Sequence, residues 1–267
     1  MKKLIAIFMC LVMCLSFVGC NNTADNNLIT KEEAYNIYYN TIKMFVPELM
    51  DENDWPECDI DITTCDEVTF LTERFIRNTS VKVQSQNVDG KGQYYLLNEF
   101  PEANKMNFYC IDNDKFYNIS CALNSKGTLQ EYNSSNIDSF LFTYLNTPLF
   151  PQEAISSFEA KKKDSDIEVT FIVKGDSTDY GYGYRVMREI LPNIQEDKLD
   201  DIKIVLTIDK DGVAKTMFTE ISMTILKDNG DIHAQKTLNM EYTFNKFDNV
   251  AFNLENIVSQ YTADTMS

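Results

Sequence analysis

The chain has 267 residues, with 24 Lys and Arg against 41 Asp and Glu, a formal net charge of −17 and 44% hydrophobic residues. With 17 Phe and 14 Tyr beside only 9 Gly and 6 Pro, it is too aromatic and too poor in breakers to stay unfolded, so a folded protein is expected. The acidic balance argues against nucleic acid, whose phosphates call for clustered Lys and Arg.

The chain opens on Met1-Lys2-Lys3, a basic start, followed by an uncharged apolar run from Leu4 to Leu15. That is the layout of an export signal, and the run is short of the roughly 20 residues that span a hydrocarbon core. Ser16-Phe17-Val18-Gly19-Cys20 then resembles the lipobox of bacterial lipoproteins, in which a small residue precedes a cysteine that becomes lipid-modified and forms the mature N-terminus. Gly19 and Cys20 fit; Phe17 and Val18 stand where Leu and Ala or Ser are commoner. The resemblance implies that residues 1–19 are a signal peptide and that Cys20 carries the fatty chains, palmitate among them. It places the domain on the extracytoplasmic face of a bacterial cell membrane. Two acyl chains hold stably where one is marginal, at about 0.8 kcal/mol per buried CH₂. Residues 20–28, rich in Asn, read as a polar tether. Loss of Lys2 and Lys3 takes the net charge from −17 to −19, which favours a domain held off an anionic leaflet.

One domain is expected over residues 29–262. Thr30-Lys31-Glu32-Glu33 has the capping-box form, and Ala34, Ile37, Tyr38, Thr41, Ile42 and Phe45 follow at helical spacing up to Pro47. Asp51 to Asp66, which holds the single tryptophan, Trp55, is acidic and without a clear period and reads as a loop. From Val68 to Tyr132 strand-like runs alternate with the turns Asp89-Gly90, Asn113-Asp114 and Lys126-Gly127, a meander of antiparallel strands. A helical block with Ile137, Phe140, Leu141, Tyr144 and Leu145 on one face ends at Pro148, and Pro151 is expected to open a further short helix through Ile155 and Phe158. Strands resume at Glu168–Val173, a helical stretch is expected at Arg185–Leu191, and Ile202–Ile208 and Met217–Ile225 flank the hairpin turn Asp209-Lys210-Asp211-Gly212. Leu238, Met240, Tyr242 and Phe244 alternate on the last strand. Period two over three successive strands predicts a sheet with one apolar and one polar side.

Cys10 and Cys14 leave with the signal, and Cys58, Cys65, Cys110 and Cys121 remain in an exported, disulfide-permissive chain. The local pairs Cys58–Cys65 and Cys110–Cys121 are the simplest of three pairings. A tight turn at Asn113-Asp114, however, places Cys110 opposite Tyr117 and leaves Cys121 further along the ladder. There is no CxxC spacing and no histidine partner, so no metal is expected.

Catalytic readings are weighed against duller ones. Lys174-Gly175-Asp176-Ser177-Thr178-Asp179-Tyr180-Gly181 follows a strand and resembles the nucleophile block of GDSL-type esterases. That family places its block near the mature start and has a later Asp-x-x-His, whereas the single histidine here, His233, has Gly230 three residues before it. Ser177 is left without a general base, and a turn with Ser177 or Thr178 as N-cap is preferred. Glu57, Asp59, Asp61, Asp66 and Glu67 lack the spacing of a calcium loop and read as a solvated acidic segment. Nothing singles out a carboxylate pair for hydrolysis. No catalytic residue and no cofactor is therefore named. Phe171, Leu206, Met217, Met223, Met240, Tyr242 and Phe244 are the candidate ligand-binding side chains, since Met and aromatics adapt to oily guests, with an ordinary core as the competing account.

This order of elements, closed by Tyr242-Thr243-Phe244-Asn245-Lys246-Phe247-Asp248-Asn249-Val250, resembles Gram-positive lipoproteins related to the LolA-like superfamily. The resemblance implies an α+β fold, a single curved antiparallel sheet forming a half-open barrel with helices on its concave face, and a role in holding acyl chains or a lipoprotein's lipid. The expected function is a non-enzymatic envelope lipoprotein that binds a lipophilic ligand or lipidated partner between sheet and helices. The alternatives are an acidic module with a solid core that meets a basic extracellular protein, and a carboxylate or serine hydrolase.

Overall fold

The structure is a computed structural model that describes residues 28–43, 57–70, 72–88, 91–112, 115–132, 149–175, 198–227, 229–245 and 252–263. Cys20 and its flanks, Trp55, the helices expected at 137–148 and 185–191, Ser177 and the turns at 89–90 and 113–114 lie outside the described residues.

Helix α1 (Lys31–Lys43) begins where the capping box predicts. The Thr30 backbone N–H donates to Glu33 Oε2 at 2.9 Å and the Glu33 N–H donates to Thr30 Oγ1 at 3.2 Å, so two otherwise unpaired donors of the first turn are satisfied. Ala34, Tyr38 and Ile42, four residues apart, form its fully buried stripe.

The strands are β1 (Cys58–Phe70), β2 (Glu73–Val88), β3 (Lys91–Phe100), β4 (Lys105–Asp112), β5 (Lys115–Cys121), β6 (Gln130–Tyr132), β7 (Ile155–Lys163), β8 (Asp166–Val173), β9 (Lys198–Leu199), β10 (Ile202–Ile208), β11 (Ala214–Leu226) and β12 (Ile232–Phe244). Eleven of them run in the order β6-β5-β4-β3-β2-β1-β12-β11-β10-β8-β7, and β9 adds a short pairing to β11. Every pairing is antiparallel, and the sheet is open, ending at β6 and β7. Two meanders are joined by β1 and β12, which pair from Ile60 opposite Phe244 to Phe70 opposite Ala234. The expected turn at Asp209–Gly212 holds its hairpin. Asp209 Oδ1 accepts from the N–H groups of Asp211 and Val213 at 2.9 and 3.0 Å, and Gly212 takes φ +80°, a left-handed conformation that suits glycine.

Strand alternation sorts side chains into two cores. On the first face, Ile60, Val83, Leu96, Tyr109, Phe171, Ile204, Met217 and Tyr242 join one cluster with the α1 stripe. On the second, the intervening residues Tyr95, Phe108, Cys110, Tyr117 and Ile119 pack against helix α2 (Leu254–Tyr261) through Leu254 and Val258. The two described helices thus back opposite faces rather than sharing one.

Two further expectations are corrected. Residues 58–66 are strand, not loop: Cys58, Ile60 and Ile62 alternate inward between acids that face outward. The segment after Pro151 makes one 3₁₀ turn, Gln152–Ala154, and then continues as β7. A bulge between Ile155 and Ser157 shifts the register, so the three-residue spacing of Ile155 and Phe158, which reads as helical, comes from a strand with one extra residue. Phe158 lies opposite Phe171, with ring centroids 5.8 Å apart.

Phe171→Ala is expected to cost about 3–5 kcal/mol in urea unfolding, whereas Val213→Ala, at an exposed turn, should stay within about 0.5 kcal/mol. Equal effects at the two positions would refute the assignment of the core.

Candidate functional site

The register brings the candidate binding residues onto the first face of the sheet. Met217 lies opposite Leu206 on one side and Tyr242 on the other, and Tyr242 lies opposite Ile62. Phe171, Leu206 and Met217 are fully buried, Met223, Met240 and Tyr242 nearly so, and Phe244 is half-buried. Tyr242 and Phe244 stack at 6.3 Å with an interplanar angle of 9°, and the Tyr242 hydroxyl donates to Met240 Sδ at 3.5 Å.

Helix α1 and the strap at residues 149–155 cover this part of the face. The Tyr38 ring stands 6.0 Å from that of Phe171. The Phe150 N–H donates to the Tyr38 hydroxyl at 3.2 Å, Tyr35 donates to the Phe150 carbonyl at 3.1 Å, and Lys31 Nζ donates to the Ile155 carbonyl at 3.0 Å. The bonds of Tyr35 and Tyr38 with Phe150 thus hold helix to strap, Lys31 ties the helix to the first residue of β7, and the Lys174 N–H donates to the Ala154 carbonyl at 3.1 Å, while Ala34, Tyr38 and Ile42 lie against the apolar cluster of the sheet.

Alternation on the last strands reveals only half of this face. Ile60, Ile62, Val81, Val83 and Tyr94 from the first meander share it, and the period-two signal in Cys58-Asp59-Ile60-Asp61-Ile62 could have found the first of them. Sequence reading also misses polar atoms buried there. Ser85 Oγ, Asn98 Oδ1 and Thr219 Oγ1 are enclosed and have no hydrogen-bond partner. Such an orphan costs about 1–3 kcal/mol.

The second face differs in chemistry. Small side chains at Thr63 and Cys65 on β1, flanked by Asn78, Ser80, Phe218, Asn239 and Glu241, leave a solvent-open depression of about 310 Å³. Four of the five carboxylates weighed for calcium are paired with cations, Asp59, Asp61 and Glu67 on this face and Asp66 on the first. Asp59 and Asp61 lie 3.3 Å from Lys82 Nζ, Asp66 pairs with Arg77 and Lys236, and Glu67 pairs with Arg74. Arg74 holds the Glu67 carboxyl below its usual range. His233 rests edge-on against Phe70, ring centroids 4.7 Å apart. Gly175, at the head of the esterase-like string, has an ordinary structural reason: a Cβ there would collide with the Leu199 and Asp200 backbone, and its N–H donates to Asp201 Oδ1 at 3.1 Å.

No disulfide joins Cys58, Cys65, Cys110 and Cys121. Cys58 and Cys65 sit seven residues apart on one strand, about 23 Å and on opposite faces, far beyond disulfide reach. Cys110 lies opposite Tyr117, as the turn predicts, and Cys121 opposite Met106.

No family model matches the chain, and no curated protein does. Among solved structures it is similar to a DUF1329 family protein from Desulfovibrio piger, at 8% identity, over 83% of this chain and 94% of that one, with a TM-score of 0.27. It is similar also to a protein described as an outer membrane lipoprotein-sorting domain from Vibrio parahaemolyticus, at 12% identity, 86% and 99% coverage and TM-score 0.26. A third is a LolA superfamily protein from Nitrosomonas europaea, at 8% identity, 80% and 96% coverage and TM-score 0.23. Superposition of that depth carries no argument about binding, and the fold stands on the strand order itself.

Burial pushes the Cys58 thiol up to about 12 and raises the Tyr38 and Tyr94 hydroxyls as well. These groups keep their protons longer in the folded than in the unfolded chain, so their contribution is complete below the unfolded cysteine value of about 8.5 and is lost as pH rises toward the folded values. The melting temperature is expected to hold between pH 7 and 8 and to fall steadily above pH 9. Iodoacetamide at pH 8 should label Cys65 and Cys121 while sparing Cys58 and Cys110 until the protein is unfolded; early labelling of Cys58 would contradict its placement.

Proposed function

We propose that this chain is a membrane-tethered, extracytoplasmic lipoprotein without enzymatic activity, which takes a lipophilic molecule or a lipid-modified partner against the first face of its sheet. The observation that carries this reading is the continuous apolar face running through both meanders, with Ser85 Oγ, Asn98 Oδ1 and Thr219 Oγ1 enclosed in it and unpartnered. A guest with acyl chains and a hydrogen-bonding head matches both properties: the chains replace side-chain contacts, and the head supplies partners for the orphaned atoms. Helix α1 and its strap are the layer that yields, because the helix lies on the apolar cluster of this face through Ala34, Tyr38 and Ile42.

The tether reading rests on the lipobox-like Ser16–Cys20 and the Asn-rich segment behind it. The non-enzymatic reading is supported by the ion pairs that occupy Asp66, Glu67, Asp59 and Asp61 and by the ring contact of His233.

Protein purified from its own host is expected to release a stoichiometric lipophilic molecule on organic extraction, and native mass spectrometry should show the matching mass difference. An empty protein with full stability would favour the solid-core acidic module instead. Thr219→Val removes an orphaned hydroxyl while keeping the shape, so it should raise the stability of the stripped protein by about 1 kcal/mol and weaken retention of the guest. A loss of stability on stripping and substitution together would contradict the placement of the head group.

A further inference from the structure

Among the described residues, six large hydrophobic side chains are exposed: Leu28, Phe75, Ile76, Val213, Leu226 and Ile232. Four of them gather at one end of the sheet. Phe75 and Ile76 open β2 just after the β1–β2 turn, and Leu226 lies opposite Ile232 where β11 passes into β12. The two hairpins are neighbours, since β1 pairs with β12 up to Phe70 opposite Ala234. Phe75 and Ile76 are adjacent on a strand and so project from opposite faces, which makes the tip apolar on both sides, a wedge and not a flat patch.

The tip is also where the molecule repels an interface least. Among the described residues, Arg74, Arg77, Lys227 and Lys236 stand there against Asp66, Glu67, Glu73 and Asp231, a balance of charge in a chain of net charge −17. Helix α1 starts toward the same end. Lys31 is bonded to the Ile155 carbonyl, and Ile155 lies opposite Val173, which lies opposite Ile202. The next row of the register runs from Ser157 through Ile172, Lys203, Glu220 and Asn239 to Cys65. From Cys65 the tip at Phe70 is five residues the other way, past the row of Ile155, about 17 Å at the strand rise. Five inter-strand steps, about 24 Å, separate β7 from β1. Residues 20–30 extend at most about 35 Å, enough for an anchor at Cys20 to sit in the membrane that the tip touches.

We infer that the paired hairpin tip, with Phe75, Ile76, Leu226 and Ile232, is a membrane-contact wedge that enters the interfacial region of the bilayer holding the chain's N-terminus. This rests on the proposed tether, which fixes which membrane is reached. Entry of the tip orients the sheet end-on to the bilayer and leaves the turn at Val213, at the opposite end of β10 and β11, in water.

The test uses the full chain in phosphatidylcholine vesicles whose acyl chains are brominated near the head group. Two single-tryptophan reporters, each carrying Trp55→Phe, are compared: Phe75→Trp at the tip and Val213→Trp at the far end, with Ile232→Trp as a second tip reporter. Vesicle flotation reads attachment, and the mass of the N-terminal peptide reads acylation of Cys20. Quenching of the tip reporters by about twofold or more is expected, because a side chain roughly 5–10 Å into the interface meets the bromines, with the Val213→Trp signal unchanged. Tip reporters quenched no more than the far-end reporter on floating protein would overturn the inference while leaving the tether intact. Protein that does not float overturns it as well. Tip quenching on a chain that lacks acylation would uphold the wedge and remove the proposed tether.

Discussion

The pairing of β1 with β12 is the constraint on which the rest of the structure depends. It joins residues about 180 positions apart in the chain, Ile62 to Tyr242, and does so in a register that keeps apolar side chains of both strands on one face. A slip of one residue would turn Ile60 and Ile62 outward and bring Asp59 and Asp61 against Met240 and Tyr242. The acids enforce the register from the other side, since Asp59 and Asp61 are satisfied only where Lys82, Gln84 and Asn245 can reach them. Two meanders that could each have formed a small separate sheet become one surface wide enough to need covering.

That width explains the division of labour between the faces. The first face carries a wide apolar layer, to which helix α1 contributes the fully buried Ala34, Tyr38 and Ile42 with Tyr35, Ile37 and Tyr39 partly buried beside them. The second has its buried apolar cluster under α2, at β3 to β5, and elsewhere presents ion pairs and hydroxyls beside half-buried Phe218 and Val205. An oily guest is compatible with the first surface and not with the second. The edges are guarded as well. Strand β6 has three residues, and β7 ends in Lys161, Lys162 and Lys163, with Lys161 and Lys163 both paired to Glu168, so that neither edge invites another strand.

Among the described residues, several local signals in the sequence matched the structure because their physics is local. The capping box at Thr30 and Glu33, the Asp209–Gly212 turn and the alternation of β10, β11 and β12 each depend on neighbours within a few residues. The readings that failed were those in which distant residues altered the meaning of a local pattern. A bulge gave β7 the spacing of a helix, and the acids of β1 masked a strand whose inward residues are satisfied by β12 and β2. Gly175, whose string reads from the sequence as a turn, is demanded by the close approach of the Leu199–Asp200 backbone.

By itself the sequence determined that this is an acidic, folded chain with antiparallel strands greasy on one side, because composition and period-two alternation act through nearest neighbours alone. Only the tertiary structure decided that the two meanders share one sheet, that α1 and α2 lie on opposite faces, and that Ser85, Asn98 and Thr219 are enclosed without partners. Those outcomes depend on which strands become neighbours, and strand partnership between residues so far apart is fixed by the burial of whole faces, a quantity no short stretch of chain contains.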